Sequence, residues 1–214
     1  MIKMILKFYC LILITITAGC SRKNLPAKED EKDSRLIETM FLKDIEIREL
    51  DARTDTVNLE DYDKIHRDKI FELLAANKVK TPMDKYRSSL ILQHTAGKMC
   101  EGQLTSMSSE NFLLAFHLSS AALHDLELKK DTTTAIKKSL ARMIALNYDR
   151  YLLFSFGYQK FGTQFVFDDH TGEMLLAPVD TLLSNDEERS RYYVEPLGKL
   201  LQKYKMKPMP NQEN

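Results

Sequence analysis

The residues of this chain best able to do chemistry are Asp44, Arg48, Gln93, His94, Asp149, Arg150, Gln159 and Gln164. Guanidiniums and amides brought together offer many N–H donors, and a planar guanidinium matches a carboxylate or phosphate group with two parallel bonds. Such a set suits a small anion, or a polar polymer such as a glycan or a peptide, with Asp44 and Asp149 orienting the arginines. A hydrolase is a second reading. His94 would be its general base, Asp44 or Asp149 would orient the ring, and Arg150 would stabilise negative charge as it develops. That chemistry requires His94 within hydrogen-bond reach of one carboxylate and an open space beside it. A third reading needs no ligand: Arg150 pairs with Asp44, the glutamines satisfy free backbone groups of a hairpin, and the whole set is a buried network that fixes the hairpin to the helices.

Several chemistries find no support. No G-x-S-x-G elbow is present for a serine nucleophile. Cys100 lies six residues beyond His94, about 9 Å along the axis of a continuous helix. His117 and His124 are seven apart, about 10 Å along one helix face and too far to share a metal. HExxH, HxxxH and CxxC spacings do not occur, so no metal and no other cofactor is expected. Lys+Arg and Asp+Glu are both 31, a net charge of zero, and without a basic excess nucleic acid is not an expected partner. The chain has 214 residues, 43% hydrophobic and 29% charged, which suits one folded domain.

The elements that must position these residues are mainly helical. Ser34 can cap a first helix carrying Asp44 and Arg48 four apart on one face. Asn58 caps a second helix that ends near Asn77. Thr81-Pro82, a cap followed by proline at the first helical position, starts a third that reaches Gln93-His94. Ser108 caps a fourth and Asp131 a fifth, where Ile136, Leu140, Met143, Ile144, Asn147, Tyr148 and Tyr151 form one stripe. Asn147 and Arg150 fall within that face, and each needs partners if buried. Gly157 ends the helix. The alternating run from Tyr158, the turn Asp168 to Gly172 and the return through Ala177 predict a β-hairpin over about 158–177. Asn185 and Pro196 start two short helices. The expected architecture is a mainly α, single-domain bundle of five to six helices over 34–206 with one hairpin, followed by a frayed tail at 207–214.

Residues 1–20 read MIKMILKFYCLILITITAGC: Lys3 and Lys7, an apolar run from Phe8 to Ile16, small residues, then Cys20. The run is short for a membrane-spanning helix. The segment resembles a bacterial lipoprotein signal, with Thr17 where that pattern has an aliphatic residue. The resemblance implies cleavage of a signal at 1–19, a lipid on Cys20, and attachment to the cell envelope, expected at the outer membrane, where an envelope protein is a possible partner. With Cys10 removed and Cys20 lipidated, only Cys100 remains, so no disulfide can form within the mature chain. Residues 21–33, charged and containing Pro26, are expected to form a tether.

Over residues 36–204 the body resembles the bacterial domain of unknown function 6624 family. The resemblance is carried by Asp44 and Arg48, Gln93-His94, Asp149-Arg150, Gln159 with Phe161-Gly162-Thr163-Gln164, then Pro178-Val179, Arg189 and Pro196-Leu197. Phe161 stands where the family pattern has tyrosine, and Lys80-Thr81-Pro82 lacks the Gly-aromatic part of its turn. The resemblance implies a helical fold and this set of site residues, and no particular activity.

Overall fold

A computed structural model describes residues 28–54, 58–95, 97–100, 103–106, 108–129, 134–183 and 185–210. The signal segment, Cys20 and the expected cap Asp131 lie outside the described residues. Among those described there are seven helices and two hairpins. The mainly helical architecture with a hairpin in the C-terminal third is the expected one. None of the helices is long and apolar enough to cross a membrane.

Helix α1 spans Lys28–Thr54. It begins ahead of Ser34, so residues 28–33 are helical where a tether was expected, and Ser34 is an interior position whose hydroxyl bonds the Asp84 carboxylate at 2.6 Å. Asp33, one residue earlier, is buried against Lys78. Helix α2 spans Leu59–Ala75, with Asn58 accepting from the Asp61 N–H as its cap. Helix α3 spans Pro82–Gln93 and opens with a complete capping box: Thr81 Oγ1 accepts from Asp84 N, and Asp84 accepts from Thr81 N.

Strands β1 (Gly97–Cys100) and β2 (Gln103–Ser106) form an antiparallel hairpin, Gly97 opposite Ser106. The sequence reading gives only one hairpin, at about 158–177. Helix α4 (Ser109–Lys129) and helix α5 (Thr134–Phe156) follow. Gly157 stops α5 in the left-handed region, φ 80°.

The core is built by α1 to α4: Ile37 and Met40, Ile70 and Leu73, Val79, Ile91 and Leu92, and Ala115. Each fully buried Ile or Leu contributes about 1.5–3 kcal/mol. The pairing of α4 and α5 adds Ala122, Leu126 and Leu140.

Strands β3 (Phe165–Asp168) and β4 (Glu173–Leu176) pair with Phe165 opposite Leu176. The hairpin is shorter than expected because residues 158–164 are not paired as a strand. Only Gln159 makes a bridge, to Val179. Short helices α6 (Asp186–Arg191) and α7 (Leu197–Lys203) complete the fold. The tail is not frayed where it starts. Leu176 N donates to Lys205 O and Lys207 N to Leu176 O, both at 2.9 Å, and Pro210 lies against Gly157.

Candidate functional site

The site forms around the C-terminal end of α3. A helix leaves its last carbonyls without intrahelical partners, and that end carries partial negative charge. Here one partner is local and two come from distant helices. Thr95 Oγ1 donates to Leu92 O at 2.8 Å, Arg150 Nη1 from α5 donates to Gln93 O at 3.1 Å, and Arg67 Nη1 from α2 donates to His94 O at 2.7 Å. His94 leaves the helical conformation at φ −84° and ψ 58°, and its side chain faces α1 and α2.

There His94 Nδ1 lies 3.0 Å from Arg48 Nε and 3.0 and 3.1 Å from the two oxygens of Asp44. A ring nitrogen is a donor or an acceptor, not both. With the proton on Nε2, Nδ1 accepts from Arg48; with a proton on Nδ1, it donates to Asp44. Arg48 also pairs with Asp44 at 3.4 Å and directly with Asp63 through Nη2. Asp44 and Asp63 are both buried, while the side chains of Arg48 and His94 are 28% and 21% exposed. Water therefore reaches Arg48 and His94 more readily than the carboxylates.

Electrostatics follow from this packing. Burial pushes the Asp44 carboxyl up, but the His94 hydrogen bond and the charges of His94 and Arg48 outweigh it and hold the group below its ordinary range. Burial, with the charges of Asp44 and Asp63 adding to it, pushes the Tyr62 hydroxyl up to about 12. One oxygen or nitrogen from each of Asp44, Asp63 and His94 lies within 4.8 Å of the others, a geometry that could hold a divalent cation. Arg48 bonds all three, so a guanidinium already offsets one of the two carboxylate charges.

Arg150 is the second cation of the region. Its guanidinium donates to Gln93 O and, at 3.3 Å, to Gln164 Oε1, and it lies 5.9 Å from the Phe112 ring centroid. Among the described residues no carboxylate pairs with it. Burial, and next the nearby charge of Arg48, lower its proton affinity.

The remaining candidates are elsewhere. Asp149 is fully buried at the root of the hairpin and does not orient His94. Its Oδ1 accepts from Lys160 N at 2.8 Å and Phe161 N at 2.7 Å; its Oδ2 accepts from Thr163 N at 2.9 Å and Thr163 Oγ1 at 2.7 Å. Burial pushes this carboxyl up against the pull of the four donors. Gln159 works beside it: Nε2 donates to Gln164 O and Ala177 O, both at 2.9 Å, and Oε1 accepts from Gln164 N at 2.8 Å. Arg189, buried on α6, donates to Phe161 O and to Lys160 O. These residues hold a loop. Gln164 joins the two regions, bonding Arg150 on one side and Gln159 on the other.

The structure thus brings together Asp44, Arg48 and His94, with Gln93 contributing its carbonyl and Arg150 and Gln164 adjoining. It places Asp149 and Gln159 in a separate structural network. The expected pairing of Arg150 with Asp44 is replaced by neutral acceptors, because Asp44 is already taken by Arg48 and His94. Sequence reasoning missed Asp63 and Arg67, although they stand four apart and share a face of α2. No family model, no curated protein and no solved structure matches the chain.

Proposed function

We propose that this chain is a lipid-anchored envelope domain that binds a small anion, a carboxylate- or phosphate-bearing group, at the end of α3. The observation that carries the reading is Arg150, a half-buried guanidinium without a carboxylate partner among the described residues, beside the like charge of Arg48. Around the same helix end Arg48, Arg67 and Arg150 outnumber Asp44 and Asp63, so the named groups sum to a positive charge before His94 is protonated. A partly desolvated charge left without an opposite charge is disfavoured. An anion bridging Arg150 toward Arg48 and His94 offsets that cost with charge-assisted bonds.

The test is thermal stability with phosphate, citrate and acetate against NaCl at matched ionic strength, for wild type and Arg150→Met. An anion at a hundred times its dissociation constant adds about 2.7 kcal/mol. The reading expects stabilisation of the wild type that Arg150→Met abolishes. Equal responses of the two proteins, or none beyond NaCl, would refute it and leave Arg150 as a cap for α3.

One observation favours a hydrolase as the second reading. Asp44 faces Nδ1 of His94, and Nε2 has no partner among the described residues, the arrangement of an oriented general base. Turnover of ester or phosphoester substrates that is lost in His94→Gln would select it; binding without turnover would remove it. The anchor rests on the segment ending at Cys20. Cys20→Ser should release the protein from membranes, and retention would disprove lipidation there.

A further inference from the structure

A separate pocket of about 410 Å³ opens between α4, α5 and the loop that Asp149 holds. Its volume is within the range of small-molecule sites, about 300–1,000 Å³. The wall is a chain of rings from four parts of the fold. Phe116 lies 4.9 Å from Tyr148, Tyr148 lies 6.3 Å from Tyr151 and 6.4 Å from Phe161, and Phe161 lies 4.9 Å from Tyr192. Across the lining, Lys160 Nζ pairs with Glu188 at 2.7 Å.

We propose that this pocket binds a neutral saccharide. The lining pairs one ammonium with one carboxylate, and apart from the tyrosines His117 is its one other titratable side chain, so with a neutral imidazole neither an anion nor a cation is favoured by net charge. A cation is further opposed because Lys160 already occupies the face of Phe161, 5.1 Å from its centroid. A purely apolar guest would cover the rings but strand the Lys160–Glu188 pair and the tyrosine hydroxyls, which costs free energy. Among the described residues the hydroxyls of Tyr148, Tyr151 and Tyr192 have no hydrogen-bond partner. Apolar ring faces for C–H groups, with donors and acceptors for hydroxyls at their edges, match a sugar ring.

The pocket is also built in advance. Asp149 fixes the backbone N–H groups of Lys160 and Phe161, and Arg189, next to Glu188 in the chain, fixes their carbonyls. Little ordering is then left to oppose binding. The inference is independent of the anion reading, which rests on other residues.

The experiment uses the full-length protein, with N,N′-diacetylchitobiose, cellobiose, maltose and lactose as probes, and indole and choline as comparators. Ligand-observed saturation-transfer NMR and isothermal titration give binding for wild type, Tyr151→Ala and Glu188→Gln. The expected result is saturable binding of at least one saccharide, weakened about tenfold by Tyr151→Ala and severalfold by Glu188→Gln, with choline inert. Glu188→Gln keeps the side-chain shape and so guards against a Tyr151→Ala protein that fails to fold. No binding by any saccharide overturns the proposal. Binding unchanged in both variants overturns it as well, as does saturable binding of indole alone, which would make the pocket an aromatic-ligand site.

Discussion

Replacing Asp149 by Asn is a near-isosteric change whose cost can be worked from its four contacts. The amide oxygen can keep the bonds from Lys160 N and Phe161 N. The amide nitrogen then takes the place of Oδ2, where it faces Thr163 N at 2.9 Å, donor against donor; only the Thr163 hydroxyl can turn and accept. One backbone N–H is left unpaired at about 1–3 kcal/mol, and two surviving bonds lose their charge assistance at about 1 kcal/mol each. Relief from burying a charge offsets part of this, since burial already pushes the Asp149 carboxyl up. We predict a net loss of about 2–4 kcal/mol, which for a domain of this size lowers Tm by about 5–15 °C. Circular dichroism melts and urea titrations measure it, with exposed Asp169→Asn as the control. Amide exchange at residues 160–163 should accelerate while α1 to α3 keep their protection. A loss below about 0.5 kcal/mol, no larger than an ordinary surface change, would refute the assignment of Asp149 as the post that holds the loop.

Gly162 has φ 80°, and a Cβ there would meet Arg189 Nη1 and Leu200 Cδ1 at 3.1 Å. Gly162→Ala should therefore cost about 1–3 kcal/mol, read as a lower urea midpoint; an unchanged midpoint would contradict the geometry. Asn147 is fully buried, and neither end of its amide has a partner among the described residues, so Asn147→Leu should be neutral or stabilising by up to about 2 kcal/mol. A destabilised Asn147→Leu would mean that the amide is satisfied after all. Asp44 is held below its ordinary range in the fold, so its contribution is present above the unfolded value, near pH 4, and is lost as pH falls through the lower folded value. Asp44→Asn should flatten the acid limb of stability below about pH 4; parallel limbs in the two proteins would remove Asp44 from that role.

The helical frame was legible because its signals are local. Thr81-Pro82, Asn58, Asn185 and Gly157 mark ends through cap chemistry that involves neighbours only, and the structure keeps all four. Ser34 misled because a serine reads as a cap whether or not a helix is already running. Here its hydroxyl bonds Asp84, fifty residues away. Alternation from Tyr158 onward looked like one strand, but Asp149 collects three of its backbone N–H groups, and a side-chain acceptor has replaced a partner strand. The grouping of Asp44, Arg48 and His94 could be suspected from residue type. The part played by Asp63, Arg67 and Arg189 could not, since it depends on which helix ends and loop carbonyls the fold brings to them.

The paired tail has a consequence for how the molecule keeps to itself. Strand β4 is closed on its outer edge by the segment from Lys205 to Lys207, which bonds both backbone groups of Leu176. An open edge invites pairing with another chain. That segment acts as a latch, and a cut between Tyr204 and Lys205 would leave the edge at Leu176 free to pair with a second copy of the protein.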